Sequence, residues 1–546
     1  MSMLSSPVLG LSFICFLAFY KFIIFPSLLS PLSKVPNAHW SAPISPLWIL
    51  WTRLQKRENR ETHAAHLKYG PVIRLAPNEL SINDLSGLRT VYAGGFEKGQ
   101  WYSIFDNYGV PCMFSTWYSK SHSAKKRMMS NIYSKSSIHN SLALHRQAQV
   151  ILYERLLPLL VAASTPGNFP NGIEVHEIWN STTMDFITAY QFGLKNGSNF
   201  LGNETCRKRW FSLYHTRKTY TFWSQELPGL SCLLRKLGIY LVPRWVDDNN
   251  SELEAWTQER CDSTLAYIKD GIAAKDSDPG NEPVVFNAIL NGIEKERKNK
   301  GNESVLAADA LRHPELSMAS EMIDHLAAGH ETSGIMLTYI SWHLSQDISL
   351  QDRLCAELRS LAPNLLLSSK SSKQEIPSSK ELDNLPVLHA IVMESLRLDA
   401  AIPGSQPRQT PFPSCNLGAF SIPGGVRVGA QAHSVHRNAE VYPEPEKFNY
   451  YRWMDDENGY SEEQKRARDR WFWAFSSGGR MCVGSNFAVH EIKLVLAAVY
   501  SNFRTHIVND EGVEQEDGYT CGPRSNKLIL RFERIEESLQ GQGNNG

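Results

Sequence analysis

The sequence predicts a mainly α-helical protein with a small β region, standing behind an N-terminal transmembrane helix. Three observations carry this expectation. Residues 7–25, PVLGLSFICFLAFYKFIIF, are apolar apart from small residues, Tyr20 and Lys21. Helical patterning dominates residues 140–295, and the stretch 316–346 reads as one long helix that is apolar on more than one side, which suits a helix crossing the middle of the body. The strand signal is brief. Val72, Arg74 and Leu75, then Leu80, Ser81 and Ile82 across a turn at Pro77-Asn78, read as two short paired strands.

At 546 residues and 42% hydrophobic content the chain is long enough for a large core. Lys+Arg and Asp+Glu are both 56, so no basic excess points to nucleic acid and no acidic excess to a solvating role. Nine cysteines are scattered without a CxxC pair, which argues against a zinc site and against a disulfide framework. The chain reads as a reducing, cytosol-facing protein.

In chain order, residues 7–25 are long enough to span a bilayer, with Lys21 snorkelling to one face. No basic residue precedes the stretch, which disfavours a cleaved signal peptide. Lys34, Arg53, Lys56 and Arg57 follow it, so the positive-inside rule leaves the body in the cytosol. The sequons at Asn180, Asn196, Asn203, Asn249 and Asn302 are then expected to be unused. Pro26, Pro31, Pro36, Pro43 and Pro46 predict a stiff, non-helical neck over 26–50. A single domain is expected over 51–535 and a disordered tail over 536–546. His122 to Arg127 open a helix whose basic residues form either a solvated face or an anion site. The aromatics of 206–226 (Trp210, Phe211, Tyr214, Tyr220, Phe222, Trp223) suit core or a lipophilic entrance.

Within 316–346, Gly329 serves close approach or a kink, and it is followed by an acid and a hydroxyl, Glu331 and Thr332. Read locally, Thr332 bonds back to a carbonyl one turn earlier. SSKSSKQEIPSSKE (368–381) is a polar surface loop. Pro386 then starts a helix on which Glu394 and Arg397 share a face among apolar residues, a buried pair that calls for a third partner such as Arg452. Finally FSSGGRMCVG (475–484) sets one cysteine between glycines ahead of the helical SNFAVHEIKLVLAAVYSNF. Free N–H groups and the positive end of that helix favour a thiolate. Cys482 is either an inert buried thiol in a glycine turn or a ligand that holds a haem iron alone.

FSSGGRMCVG, AGHETS (328–333), ESLR (394–397) and EPEKFNYYRW (444–453) together resemble a cytochrome P-450, and the YGPVIRLAPNELSI strands and FAVHEIK agree with that family. The likeness runs from the anchor to about residue 530 and looks most like the membrane-bound enzymes of filamentous fungi. It implies a haem-thiolate fold, mostly α with a small β region. By resemblance, Cys482 is the axial thiolate of a b-type haem, Phe475 packs by its sulfur, and Arg480 and Arg408 pair with the propionates. His122 and Lys126 stand where a second set of propionate contacts is expected. Glu394, Arg397 and Arg452 match a structural triad behind the haem-bearing loop. Glu331 and Thr332 match the acid–alcohol pair of the distal helix. Two positions depart from the pattern: Tyr450 and Gly479 stand where prolines are common.

The resemblance further implies a monooxygenase, in which Thr332 holds oxygen and an ordered water while Glu331 relays protons to a reaction that hydroxylates or otherwise oxidises a lipophilic small molecule. Secondary metabolism is the expected setting, and the endoplasmic reticulum membrane, single-pass with the catalytic domain in the cytosol, the expected location. The chain after Cys482 is too short for a flavin domain, so electrons are expected from a separate NADPH–cytochrome P-450 reductase. Tyr102, Phe105, His325, Ala328, Ile402 and Tyr519 are the expected pocket-lining positions. The alternatives are a reductase-independent haem-thiolate rearrangement enzyme, which often lacks the distal threonine, and a non-catalytic haem- or lipid-binding membrane protein.

Overall fold

The computed structural model describes residues 6–367, 375–455, 457 and 459–535. The expected tail and half of the polar loop, residues 368–374, lie outside the described residues.

One 33-residue helix, Pro314–Gln346, is buried along nearly its whole length and organises the rest. Its closest partner is the helix Val175–Asn196. Gly329 and Gly334 set the approach: a Cβ on Gly329 would lie 2.7 Å from Ile187 Cγ1, and one on Gly334 2.5 Å from Asn180 Oδ1. Gly329 therefore serves contact, and the helix runs on without a break. The helices Arg244–Lys269, Pro386–Leu398 and Ser485–Tyr500 pack around the same axis. Leu326, Ile340, Leu344, Ile391, Leu494 and Val495 belong to the one large core they share.

The β region stands apart, over a smaller core that includes Leu80, Val91, Val428 and Trp473. Val72–Ala76 pairs antiparallel with Glu79–Ile82, which runs parallel to Arg427–Gly429, which in turn pairs antiparallel with Arg408–Gln409. Val72–Ala76 and Glu79–Ile82 are buried on both faces, Arg74, Glu79 and Ser81 included. This sheet delivers Arg408 to the site described below.

The N-terminal segment departs from expectation in two ways. The apolar helix runs past Phe25: an α-helical part, Ser6–Phe19, continues into π-helical turns to Leu29 with Pro26 inside. The wider turn accommodates a ring that would clash in an α-helix. The 20-residue span Gly10–Leu29 has a mean hydropathy of 1.9 and no buried residue. The neck is not non-helical either. Pro31–Lys34 is a 3-10 turn, Leu47–Leu54 an α-helix, and Leu32, Val35, Ala42 and Ile49 are buried in the body. Their apolar side chains reward packing more than the prolines resist it. Asn180 is buried and donates to the His176 carbonyl at 2.8 Å, a setting in which a glycan has no room.

The aromatic stretch divides. Trp210 and Phe211, on Glu204–Thr219, are core residues stacked around His330. Phe222 and Trp223, on Thr221–Glu226, are only half-buried, and beyond them Leu230, Leu233 and Leu237 are exposed.

Candidate active site

Residues 475–484 form a tight loop ahead of Ser485–Tyr500. The Cys482 amide donates to the Phe475 carbonyl at 3.0 Å, which closes the loop on itself. Gly478 has φ +72°, and a Cβ there would sit 2.2 Å from the Tyr92 carbonyl oxygen, so only glycine fits. Gly479 has open space, consistent with its standing in for a proline. Cys482 is exposed, yet burial raises its thiol above the ordinary range. The Gly484 amide and Lys126 pull the other way and are outweighed. The expectation that the helix end alone favours a thiolate is thus corrected: desolvation wins, and the thiolate needs a cationic partner.

Beside the loop lies a buried cluster of positive charge. Arg480 donates to the carbonyls of Thr116 (2.8 Å) and Trp117 (2.6 Å) and to Glu97 Oε2 (3.0 Å). Arg408 donates to Tyr102 Oη at 2.8 Å and to the Pro407 carbonyl at 2.9 Å. Lys98, 4% exposed, lies over the rings of Tyr102 and Phe114 at 4.0 and 3.9 Å. Burial, then Arg408 and Arg480, push its ammonium well below the usual range. His122 is buried and pushed down to about 3 by desolvation and then by Arg480 and Lys98, so it is neutral. The acid paired with this cluster, Glu97, has a side chain 43% exposed. Three buried cations with so little compensation are costly on their own and fit a dianion such as the two propionates of a haem. Lys126 departs from expectation. Its ammonium donates to the carbonyls of Gly479 (3.0 Å) and Met481 (3.2 Å), so it braces the cysteine loop instead of completing the anion site.

The long helix packs against Ser485–Tyr500, the helix that follows the cysteine loop. Ala328 is exposed in a stretch otherwise buried, and Thr332 Oγ1 donates to its carbonyl at 2.7 Å. That is the local back-bond, and it leaves the hydroxyl oxygen free to accept. Glu331 turns the other way. It pairs with Lys218 and accepts from Tyr214 Oη at 2.9 Å, at the wall of a cleft of about 680 Å³ that includes His176, His215 and His330 and ends at the exposed Glu204 and Lys208. Burial, the largest influence, would raise the Glu331 carboxyl, but the Lys218 ammonium, His330 and the hydrogen bonds from Lys218 and Tyr214 together hold it below its ordinary value.

Behind the loop, Glu394 accepts from Arg397 twice (2.9 and 2.7 Å), from Arg452 Nε (3.2 Å), Trp453 Nε1 (2.9 Å) and the Asn449 amide (2.9 Å). The triad is sealed, with Glu394 and Arg397 wholly buried. It reaches the cysteine loop through His436. The ring accepts from the Trp473 amide at Nε2 (2.8 Å) and so donates from Nδ1 to the Arg397 carbonyl (2.8 Å). Trp473 Nε1 in turn donates to Ser477 Oγ at 3.0 Å.

Of the expected lining positions, Phe105 and Tyr519 lie 6.1 Å apart by ring centroids, and Tyr102 is committed to Arg408. Ile402 is half-buried. His325 is a core residue bonded to Tyr133 Oη. Sequence reading missed Lys98 and Lys218. Each is a single charged residue with no spacing to a partner, so only the fold brings it to the site.

A single cysteine in a glycine loop, a buried cluster of cations beside it and an acid–alcohol pair on the long central helix make up a site of the thiolate-ligated haem class. The comparisons agree: the cytochrome P450 family matches residues 42–530, and the chain belongs to that family. Cytochrome P450 monooxygenase avaI of Aspergillus versicolor is 27% identical, over 78% of this chain and 94% of its own length. Cytochrome P450 monooxygenase orf4 of Eupenicillium brefeldianum is 26% identical over 97% and 98%, and orf2 of Aspergillus niger 22% over 93% and 94%. The protein is accordingly a cytochrome P450 monooxygenase with a haem-thiolate iron.

Proposed function

We propose that Cys482 is the axial ligand, that Arg408, Arg480 and Lys98 hold the propionates with neutral His122 as a further donor, and that the enzyme oxidises a lipophilic small molecule with electrons from a separate NADPH-dependent reductase. The single observation behind this reading is the standing of a cysteine loop beside a buried cluster of Lys98, Arg408 and Arg480 whose one paired acid, Glu97, is half-exposed. Phe475 packs beside the sulfur, its carbonyl holding the Cys482 amide. When bound, the haem supplies the dioxygen-activating redox chemistry. The chain's own part is proton handling and exclusion of water. Thr332 keeps an acceptor oxygen toward the cavity, and Glu331 takes protons from the cleft, kept ionised by Lys218 until one arrives. The acid–alcohol pair favours oxygenation over reductase-independent rearrangement.

The apolar helix at the N-terminus supports a membrane anchor, and exposed Trp40, Leu47 and Trp51, with Leu230, Leu233 and Leu237, offer a lipid-facing rim on two segments that pack through Leu47–Leu54 and Thr221–Glu226. We place the body on the cytosolic face of the endoplasmic reticulum and the reaction in secondary metabolism, in line with the whole-length likeness to fungal monooxygenases.

The test is spectral and kinetic. The reduced carbon monoxide complex should show the red-shifted Soret band of a thiolate ligand, and Cys482→Ser should lose it. With reductase, Thr332→Ala should keep consuming NADPH while product per NADPH falls about tenfold or more. A wild type without the thiolate band, or a Thr332→Ala that stays fully coupled, would sink the reading.

A further inference from the structure

We propose that Arg74 is a positioning residue that bolts the N-terminal apolar helix to the catalytic body, so that the body sits on a lipid surface at one fixed angle. This rests on the membrane-anchor reading above.

The clamp begins with a carbonyl that the helix itself leaves without a partner. Pro26 lies in the last turn of Tyr20–Leu29, where the final carbonyls of any helix lack intrahelical donors. In a continued helix the amide of residue 30 or 31 would reach it. The Ser30 amide is committed to the Phe25 carbonyl at 2.8 Å, and residue 31 is a proline with no N–H to give. Arg74 supplies the missing donor: its Nη1 reaches the Pro26 carbonyl at 2.8 Å. A cation at this place also meets the negative end of the helix dipole.

The surroundings of Arg74 set it apart from the arginines behind the cysteine loop. Arg397 and Arg452 share Glu394, whereas Arg74, 1% exposed, makes no ion pair among the described residues. Its guanidinium donates only to carbonyls, those of Pro26 and Pro77 at 2.8 Å and of Ala76 at 3.3 Å. Burial draws it down to about 10, so it stays a cation at neutral pH. Burying such a charge without a carboxylate is costly. Ala76 and Pro77 belong to its own hairpin, and the bond to Pro26 is the one of the three that crosses to another segment.

The same residue holds the neck a second time. The Arg74 amide donates to the Pro36 carbonyl at 2.7 Å, and its carbonyl accepts from the Ala38 amide at 2.9 Å. Between the two holds, Ser30 caps the turn Pro31–Lys34, and Leu32 and Val35 are buried in the smaller core. The segment from Pro26 to Ala38 is therefore fastened to one strand at both ends. Trp40, Leu47 and Trp51, exposed by 78%, 72% and 57%, follow directly after the second hold. The clamp thus sets how far these side chains lie from the helix end, and tryptophans at such a level suit the lipid–water interface.

The experiment uses the haem-loaded full chain in phosphatidylcholine nanodiscs. Nitroxide labels are placed on the native exposed Cys15 of the helix and Cys206 of the body, after Cys232→Ser and Cys415→Ser. Were the five residues between Pro26 and Leu32 a free tether, the distance would spread by roughly 12 Å. Wild type should give one distance with a spread well below that figure, and polarised absorption of the haem in stacked bilayers should give one tilt. Arg74→Met keeps the apolar stem and removes the donors. It should widen the distance toward the tether value and blur the tilt while the carbon monoxide band persists. If that variant loses its haem, Pro31→Ala makes the same test at an exposed position, since it returns an amide that competes for the Pro26 carbonyl and should also widen the distance. A broad distance in wild type, or an unchanged one in whichever variant keeps the band, would overturn the proposal. Flotation separates the two levels. Wild type that does not float with phosphatidylcholine vesicles removes the anchor reading, whereas flotation beside a broad distance removes only the clamp.

Discussion

The two walls of the haem space are built on opposite terms. On the cysteine side, Glu394, Arg397, Arg452, His436 and Trp473 form a closed chain in which each named polar group has a partner inside the protein. On the distal side, among the described residues, Thr332 bonds a carbonyl of its own helix, Asp324 has no ion pair, and Glu331 is held by a helix that runs on toward exposed apolar residues. The difference teaches where the ligand-dependent groups lie. A wall that must keep a cofactor in one geometry finishes its polar bonds internally. A wall that must receive oxygen, protons and substrate leaves its bonds to be finished by them.

The largest expected break in this contrast is on the closed side. Glu394→Ala leaves Arg397 and Arg452 buried without their acid and should cost about 3–5 kcal/mol, read as a lower denaturant midpoint and loss of haem. Asp324→Asn, an equally drastic loss of charge on the open side, should leave that midpoint nearly unmoved. Next in size is acid sensitivity through His436. Burial and then Arg397 push its imidazole from 6.5 down to about 3. The unfolded chain therefore takes a proton near 6.5 while the folded one resists. Stability is full at and above neutral pH and should fall as pH drops from 6.5 toward 3. A pH series of denaturation midpoints should show this slope, and His436→Asn should flatten it. The smallest effect sharpens the open side. Lys218→Met removes the charge that holds Glu331 ionised, so the acidic limb of the kcat profile should move to higher pH while substrate KM stays close to wild type. An unmoved limb would show that Lys218 is merely structural.

Much of the site was legible because its signals are local. The Gly478 turn, the helix that follows Cys482 and the i,i+3 spacing of Glu394 and Arg397 are written in neighbouring residues and survive in the structure. Readings failed where a local rule met a tertiary one. Five prolines suggested a stiff, non-helical neck, but Leu32, Val35 and Ile49 gain more from the core than the prolines oppose. Lys126 looked like an anion ligand by position on its helix, yet the carbonyls of the cysteine loop lie nearer. The helix N-terminus argued for a thiolate, and burial overrode it.

By itself, then, the sequence determined the mainly helical class through periodicity and the cysteine loop through residues within a turn or two of one another, and its short motifs carried the resemblance to the haem-thiolate family. Only the tertiary structure decided which charges stand unpaired. Lys98, Arg408 and Arg480 come together from separate stretches, and Asp324 differs from Glu321 solely in what the fold sets beside it. Charge compensation is a property of distance in space, and no spacing along the chain encodes it.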